Sequence, residues 1–205
     1  DAITALDAND AWAVGARAGG HPEFQATRVT LTAHWYGSSW TAVPSPNIYD
    51  RSHELLDVTA IASNDVWAVG DYRNLGENFQ TLNLHWNGSS WSITPSPNYP
   101  GENILYGVSG TSANDVWAVG AAWDGVTAKQ IFLHWNGSSW THVTGPGGPT
   151  ACVGCTGDVL AMGPDDVWAV GSTIGHWNGT AWILVPNPEL PGTIGMTLRS
   201  LARIG

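Results

Sequence analysis

Two short cassettes recur four times along the 205-residue chain, and their spacing limits the fold more than any other feature. The first reads Asn9-Asp10-Ala11-Trp12-Ala13-Val14-Gly15. It begins again at residues 64, 114 and 165 (with Asp in first position), so the copies start 55, 50 and 51 residues apart. The second reads His34-Trp35-Tyr36-Gly37-Ser38-Ser39-Trp40 and begins again at residues 85, 134 and 176, the last as His-Trp-Asn-Gly-Thr-Ala-Trp. A proline-rich connector follows each: Pro44-Ser45-Pro46-Asn47, its copy from Pro95, a looser Gly145-Pro146, and Pro186-Asn187-Pro188.

A period of roughly 50 residues exceeds that of leucine-rich, ankyrin or tetratricopeptide units. Helical repeats of similar length need an apolar stripe of helical spacing, and none is present. Each unit instead divides into four strands. In the second, residues 57–62 form strand A, 63–65 a tight turn, 66–69 strand B closed by Gly70, 81–86 strand C and 91–94 strand D. Asn87-Gly88 predicts a type I′ hairpin, because both residues tolerate positive φ. The fold class is therefore all-β: a β-propeller of four-stranded antiparallel blades. Approximate blade limits are 1–47, 48–98, 99–147 and 148–188. Residues 197–205 read as the first strand of a fifth, with Leu198 and Leu201 in the places of Ile3 and Leu6. Blades pack face against face, so Trp67 and Val69 are expected on one face of strand B, and Val66 and Ala68 on the other.

Composition narrows the partners. Seven Lys and Arg stand against 17 Asp and Glu, a net charge of −10. That disfavours nucleic acid and anionic membrane surfaces, which require a surplus of cations. No apolar run approaches a membrane span. The first residue is Asp1 rather than Met, which reads as a processed or truncated start. Lys129 is the only lysine, and the polar surface must come mainly from Ser, Thr, Asn and Gly. Together with the paired cysteines, these features point to secretion.

The cassettes resemble bacterial secreted β-propeller repeats of the kelch/BNR, or Asp-box, type. The likeness rests on the architecture and on the Gly-containing turn before a Trp, here Asn87-Gly88-Ser89-Ser90-Trp91 and its three counterparts. The Asp-box aspartate is not matched, since Trp86 stands two residues before Gly88. Such propellers serve as sialidases, oxidases, lectins and scaffolds, so the resemblance implies the fold and leaves function open.

The repeated residues read as scaffold. His34, His85, His134 and His176 always precede a Trp, and Asp10, Asp65, Asp115 and Asp166 are their expected partners in interblade hydrogen bonds. WD-repeat propellers use a similar network. Trp12, Trp67, Trp117 and Trp168, with the other cassette tryptophans, are expected in the interblade core. Positions on separate blades diverge from the axis, so the histidines do not suggest a metal site. No cofactor is implied.

What does not repeat is the better place for function. The B–C loops share one rim of the disc, and the connector loops should lie on the same rim. Ligand-binding candidates there are Trp123, Asp124, Arg73 and His21, with Trp123 the one tryptophan outside the cassettes. Cys152 and Cys155 are expected to form a short local disulfide that staples the connector of blade four. The Asn-Gly-Ser and Asn-Gly-Thr sequons coincide with hairpin turns and read as turns, with glycosylation dependent on the host. No nucleophile, base and oxyanion arrangement emerges.

The leading expectation is a non-catalytic extracellular structural or interaction module that meets a protein or glycan at the cell surface. The alternative is a lectin-like propeller, and a glycan-active enzyme ranks third. The surplus strand has three readings, preferred in this order. It opens a longer propeller of five to eight blades, it completes a blade of a neighbouring copy to give an oligomer or filament, or it packs elsewhere.

Overall fold

A computed structural model describes residues 1–19, 28–48, 52–73, 76–147, 157–186 and 197–202. Among these, all regular structure is β. Blade one holds β1 (Ala2–Asp7), β2 (Asp10–Ala18), β3 (Arg28–Trp35) and β4 (Trp40–Val43). Blade two holds β5 (Ser52–Ala62), β6 (Asp65–Arg73), β7 (Gln80–Trp86) and β8 (Trp91–Ile93). Blade three holds β9 (Glu102–Ser112), β10 (Asp115–Trp123), β11 (Ala128–Trp135) and β12 (Trp140–His142). Blade four holds β13 (Asp158–Gly163), β14 (Asp166–Val170), β15 (Ile174–Trp177) and β16 (Trp182–Val185). Each blade is one antiparallel sheet whose strands pair in sequence order. The fold is a β-propeller, and the described residues form four of its blades.

Three buried clusters hold the blades together, one at each joint. Trp12 and Val14 of blade one pack against Val58, Val66, Leu84 and Trp91 of blade two. Trp67 and Val69 meet Val108, Val116 and Leu133 of blade three. Trp117, Val119 and Phe132 meet Val159, Val167 and Trp182 of blade four. Strand B therefore does send Trp67 and Val69 one way and Val66 and Ala68 the other, as its period of two requires. Extensive packing runs only between consecutive blades, so among the described residues the first and fourth blades do not close on each other.

Strand B runs further than expected. In blades two and three it continues through the cassette glycine to Arg73 and Trp123. A bulge in the adjoining inner strand brings the carbonyl oxygens of Glu54 and Ile104 to 2.0 Å from where a Cβ on Gly70 or Gly120 would sit. Glycine is required there by that close approach, so it marks a bulge and does not end the strand. The outer hairpin also differs from a two-residue turn. Trp86 and Trp91 are its last paired residues, leaving four between them. Gly88 takes φ +93°, and Asn87 Oδ1 accepts from Ser89 N at 3.0 Å, Ser89 Oγ at 2.8 Å and Ser90 N at 3.0 Å. Asn136 and Asn178 cap their turns in the same way.

The connector is a clamp and not merely an exit. Thr30 N–H donates to Asn47 Oδ1 at 2.9 Å, and its hydroxyl meets Ser45 Oγ at 2.8 Å. In blade two, Thr81 makes the same bonds to Asn98 and Ser96 at 2.9 and 2.7 Å. In blade three Gln130 stands in the threonine's place and Gly145 in the serine's, so both halves change together. The cysteine staple expected in blade four, Cys152 with Cys155, lies outside the described residues.

Residues 197–202 belong to no sheet, yet they lie where the inner strand of a next blade would be. Leu201 N–H donates to Asp158 Oδ2 at 2.7 Å, and Leu198 N–H to Gly171 O at 2.8 Å. The first bond repeats that of Val108 N–H with Asp57 Oδ2, 2.7 Å, between blades two and three, which puts Leu201 at the position of Val108 and Ile3 and corrects the alignment that set it on Leu6.

Candidate functional site

The conspicuous titratable pairs are internal to the scaffold. His34, His85, His134 and His176 each bond through Nε2 to Asp10, Asp65, Asp115 and Asp166, at 2.7 to 2.9 Å. Each His lies directly opposite the cassette Trp of its own blade and faces its ring, with centroids 4.3 to 4.4 Å apart. These bonds join neighbouring strands of one blade, which corrects the expectation that they bridge blades. The cause is register: strands B and C pair with the Asp two residues before the Trp, within reach of the ring. The same carboxylates take the indole N–H of Trp67, Trp117 and Trp168 at 3.0 to 3.2 Å. Trp12, fully buried, has no partner for its N–H.

Between blades the contacts are aromatic. Trp12 meets Trp86 and Trp91, Trp67 meets Trp135 and Trp140, and Trp117 meets Trp177 and Trp182, always one tilted pair near 5 Å and one edge-on pair. Trp168 departs from the expected core position. It is only half-buried and, among the described residues, meets no ring of another blade. Trp40 is 45% exposed, whereas its counterparts Trp91, Trp140 and Trp182 are at most 7% exposed.

The rim formed by the B–C and connector loops carries the unrepeated chemistry. Phe79 N–H donates to Glu102 Oε2 at 2.9 Å, and Asn103 N–H to Phe79 O at 2.8 Å, so the B–C loop of blade two meets the start of β9. Arg73 holds its guanidinium 4.1 Å over the Phe79 ring. Glu102 lies opposite Trp123 in the sheet. Trp123 is 46% exposed at the end of β10, and so belongs to a strand end and not to a loop. Asp124 is committed to its own turn. It accepts from Val126 N, Thr127 N and Thr127 Oγ1 at 2.8 to 2.9 Å, and these bonds hold its carboxyl down at about 2. His21 lies outside the described residues.

Beside Arg73, the rim buries acids that the sequence reading passed over. Asp71 is 6% exposed. Burial first, and then the charge of Glu54 opposite it, push its carboxyl up to about 7. Glu54 is paired with Arg28, whose backbone N–H also donates to Ser52 Oγ at 3.2 Å. The Tyr106 hydroxyl is raised by burial and by Asp71. The signal for Asp71 lay in the alignment of repeats, since it follows the cassette glycine where the other blades have Ala16, Ala121 and Ser172. Nearer the axis, burial raises Asp57 to about 6. Among the described residues no three His, Cys, Asp or Glu converge as a cation site. The described residues of the rim offer an aromatic and guanidinium surface.

No family model matches the chain, and no curated protein matches it. Solved structures resemble it. A chain described as YCF48 bound to D1 peptide is 18% identical, with a TM-score of 0.46, over 69% of this chain and 46% of that one. A protein of unknown function from Dyadobacter fermentans is 12% identical, with a TM-score of 0.55, over 90% of this chain and 64% of that one. This chain thus spans less than two thirds of either, and the second likeness is one of fold.

Proposed function

We propose that this chain is a non-catalytic extracellular interaction module, of the secreted kelch/BNR-like kind, which holds a protein partner on the rim of blades two and three. One observation carries the reading. The rim presents Trp123, Tyr106 and Arg73 to solvent, while the repeated His and Asp groups bond within the blades and Trp12, Trp67 and Trp117 are buried between them. Trp, Tyr and Arg are the residues that dominate protein interfaces. A single lysine and a surface of Ser, Thr and Asn turns support export. The second reading is a lectin-like module, favoured by the exposed Trp123 ring, since an aromatic face stacks on a sugar.

A glycan array, together with capture of secreted or surface proteins on immobilised chain, separates the two. The interaction reading expects no saturable sugar binding. It also expects one captured protein whose binding weakens at least about tenfold in Trp123→Ala and Arg73→Ala. Saturable sugar binding lost in Trp123→Ala would sink it and establish the lectin.

A further inference from the structure

Among the described residues of the rim, Asp71 is the acid without a hydrogen bond. It sits on the same strand face as Trp67 and Val69, so its side chain points toward blade three. It is 6% exposed, yet its carboxylate accepts no hydrogen bond from any described residue. The neighbouring acids are engaged: Glu54 with Arg28, Glu102 with the Phe79 N–H, and Asp124 in its own turn. So are the two cations that feel the Asp71 charge. Arg28 is spent on Glu54, and Arg73 lies over the Phe79 ring. A buried carboxylate with no partner is costly. It is not needed for the strand, since Ala16 and Ala121 hold the same position in β2 and β10.

The carboxylate can still be reached. The little of Asp71 that stays exposed includes its carboxylate oxygens, unlike the sealed and unbonded oxygens of Asn83 and Gln130. Tyr106 of β9, 39% exposed, lies near enough for its hydroxyl to feel the Asp71 charge. Glu54, opposite Asp71 in the sheet, and Glu102 add negative charge from β5 and β9. Among the described residues these acids do not converge as a metal site, which needs several oxygens around one point. One unpaired acid beside an aromatic ring suits a single organic cation. A basic side chain supplies what is missing: positive charge, N–H donors and an apolar stem to lie along the ring. The net charge of −10 also favours the approach of a basic partner.

We propose that Asp71 receives a lysine or arginine side chain of a protein partner, which enters from the rim at the joint of blades two and three. This rests on the reading of that rim as a protein-binding surface and names the chemistry of what it holds. The exposed Trp123 and Tyr106 rings take the partner's apolar contacts, and Asp71 fixes its register. A partner without the cation leaves a buried acid unpaired and is rejected. The pairing depends on pH. The groups that face Asp71 are Glu54 from β5, Glu102 and Tyr106 from β9, Arg28 from β3 and Arg73 on its own strand. With no partner bound, Asp71 holds its proton up to about 7. The incoming cation binds the carboxylate and so competes with that proton.

The test selects binders from a displayed library of random peptides on the immobilised chain at pH 8, then measures synthetic copies by calorimetry. The selected peptides should share one Lys or Arg. Changing that residue to Gln in the peptide, or Asp71→Asn in the protein, should each weaken binding at least about thirtyfold, and the two together no further. Asn keeps the shape of Asp without its buried charge, so the variant should fold, as circular dichroism will check. Asp7→Asn removes the same charge from an exposed turn at the opposite end of the blades and should bind as wild type. Binding to wild type should weaken about tenfold or more from pH 8 to pH 5.5, whereas binding to Asp71→Asn should stay level. Peptides that are lost in Trp123→Ala but share no basic residue, or that bind Asp71→Asn as wild type, overturn this inference and leave the rim reading standing. Peptides indifferent to both variants, or a library that yields no binder, overturn both.

Discussion

Asp65 shows how one carboxylate can fix a blade. It accepts from the His85 ring at 2.9 Å and from the Trp67 indole at 3.0 Å, with its side chain 13% exposed. Asp65→Ala leaves a buried indole N–H and a half-buried ring nitrogen unpaired, at about 2–4 kcal/mol in all. For a chain of this size that lowers Tm by about 5–15 °C. Asp166 makes the same bonds at 44% exposure, where water can replace it, so Asp166→Ala should cost less than half as much. Thermal melts of the two variants check this, and equal losses would refute it. Asp71 acts in the opposite sense. Its folded value of about 7 exceeds the ordinary 3.8. The folded chain therefore keeps a proton that the unfolded chain releases. Stability is fully present below about pH 4 and is lost as pH rises to about 7. Asp57, raised to about 6, adds to the loss with the same sign. Asp71→Asn cannot titrate, so its Tm should fall less than wild type between pH 5 and pH 8. Parallel Tm curves would contradict the burial of that charge.

At the scale of strands and turns, the clamp between connector and strand C ties the outer edge of a blade to its middle. Asn98→Ala removes the acceptor for Thr81 N–H and a second bond, at 3.0 Å, from its hydroxyl. The expected cost is about 1–2 kcal/mol, with faster amide exchange at Thr81 than at Leu84. Unchanged exchange at Thr81 would show that the clamp carries no load. Blade three, with Gln130 and Gly145, is the built-in comparison. The four strands per blade were legible from the two cassettes, because period-two burial and the Asn-Gly turn act within a few residues. The clamp was not, because Pro44 and Pro46 signal a strand exit while the bonds of Ser45 and Asn47 reach back 15 and 17 residues. Strand B was cut short for a related reason. A glycine in a strand reads as its end until the bulged neighbour at Glu54 is seen to need the space.

For the whole molecule, the repeat disclosed four blades and the inward role of Trp12, Trp67 and Trp117. It could not distinguish those from Trp168, because identical cassettes acquire different environments only from what lies beside them. Arg73 and Trp123 were found as breaks in the repeat, and Asp71 is a third such break, whereas its coupling to Tyr106 needed the fold to bring them together. The sequential packing of the blades has a further consequence. Each blade is stabilised only by itself and its immediate neighbours, so the molecule behaves as a short one-dimensional chain of coupled units. Among the described residues, blades two and three each pack against a blade on both sides. A defect at one joint is therefore felt first by the two blades that share it.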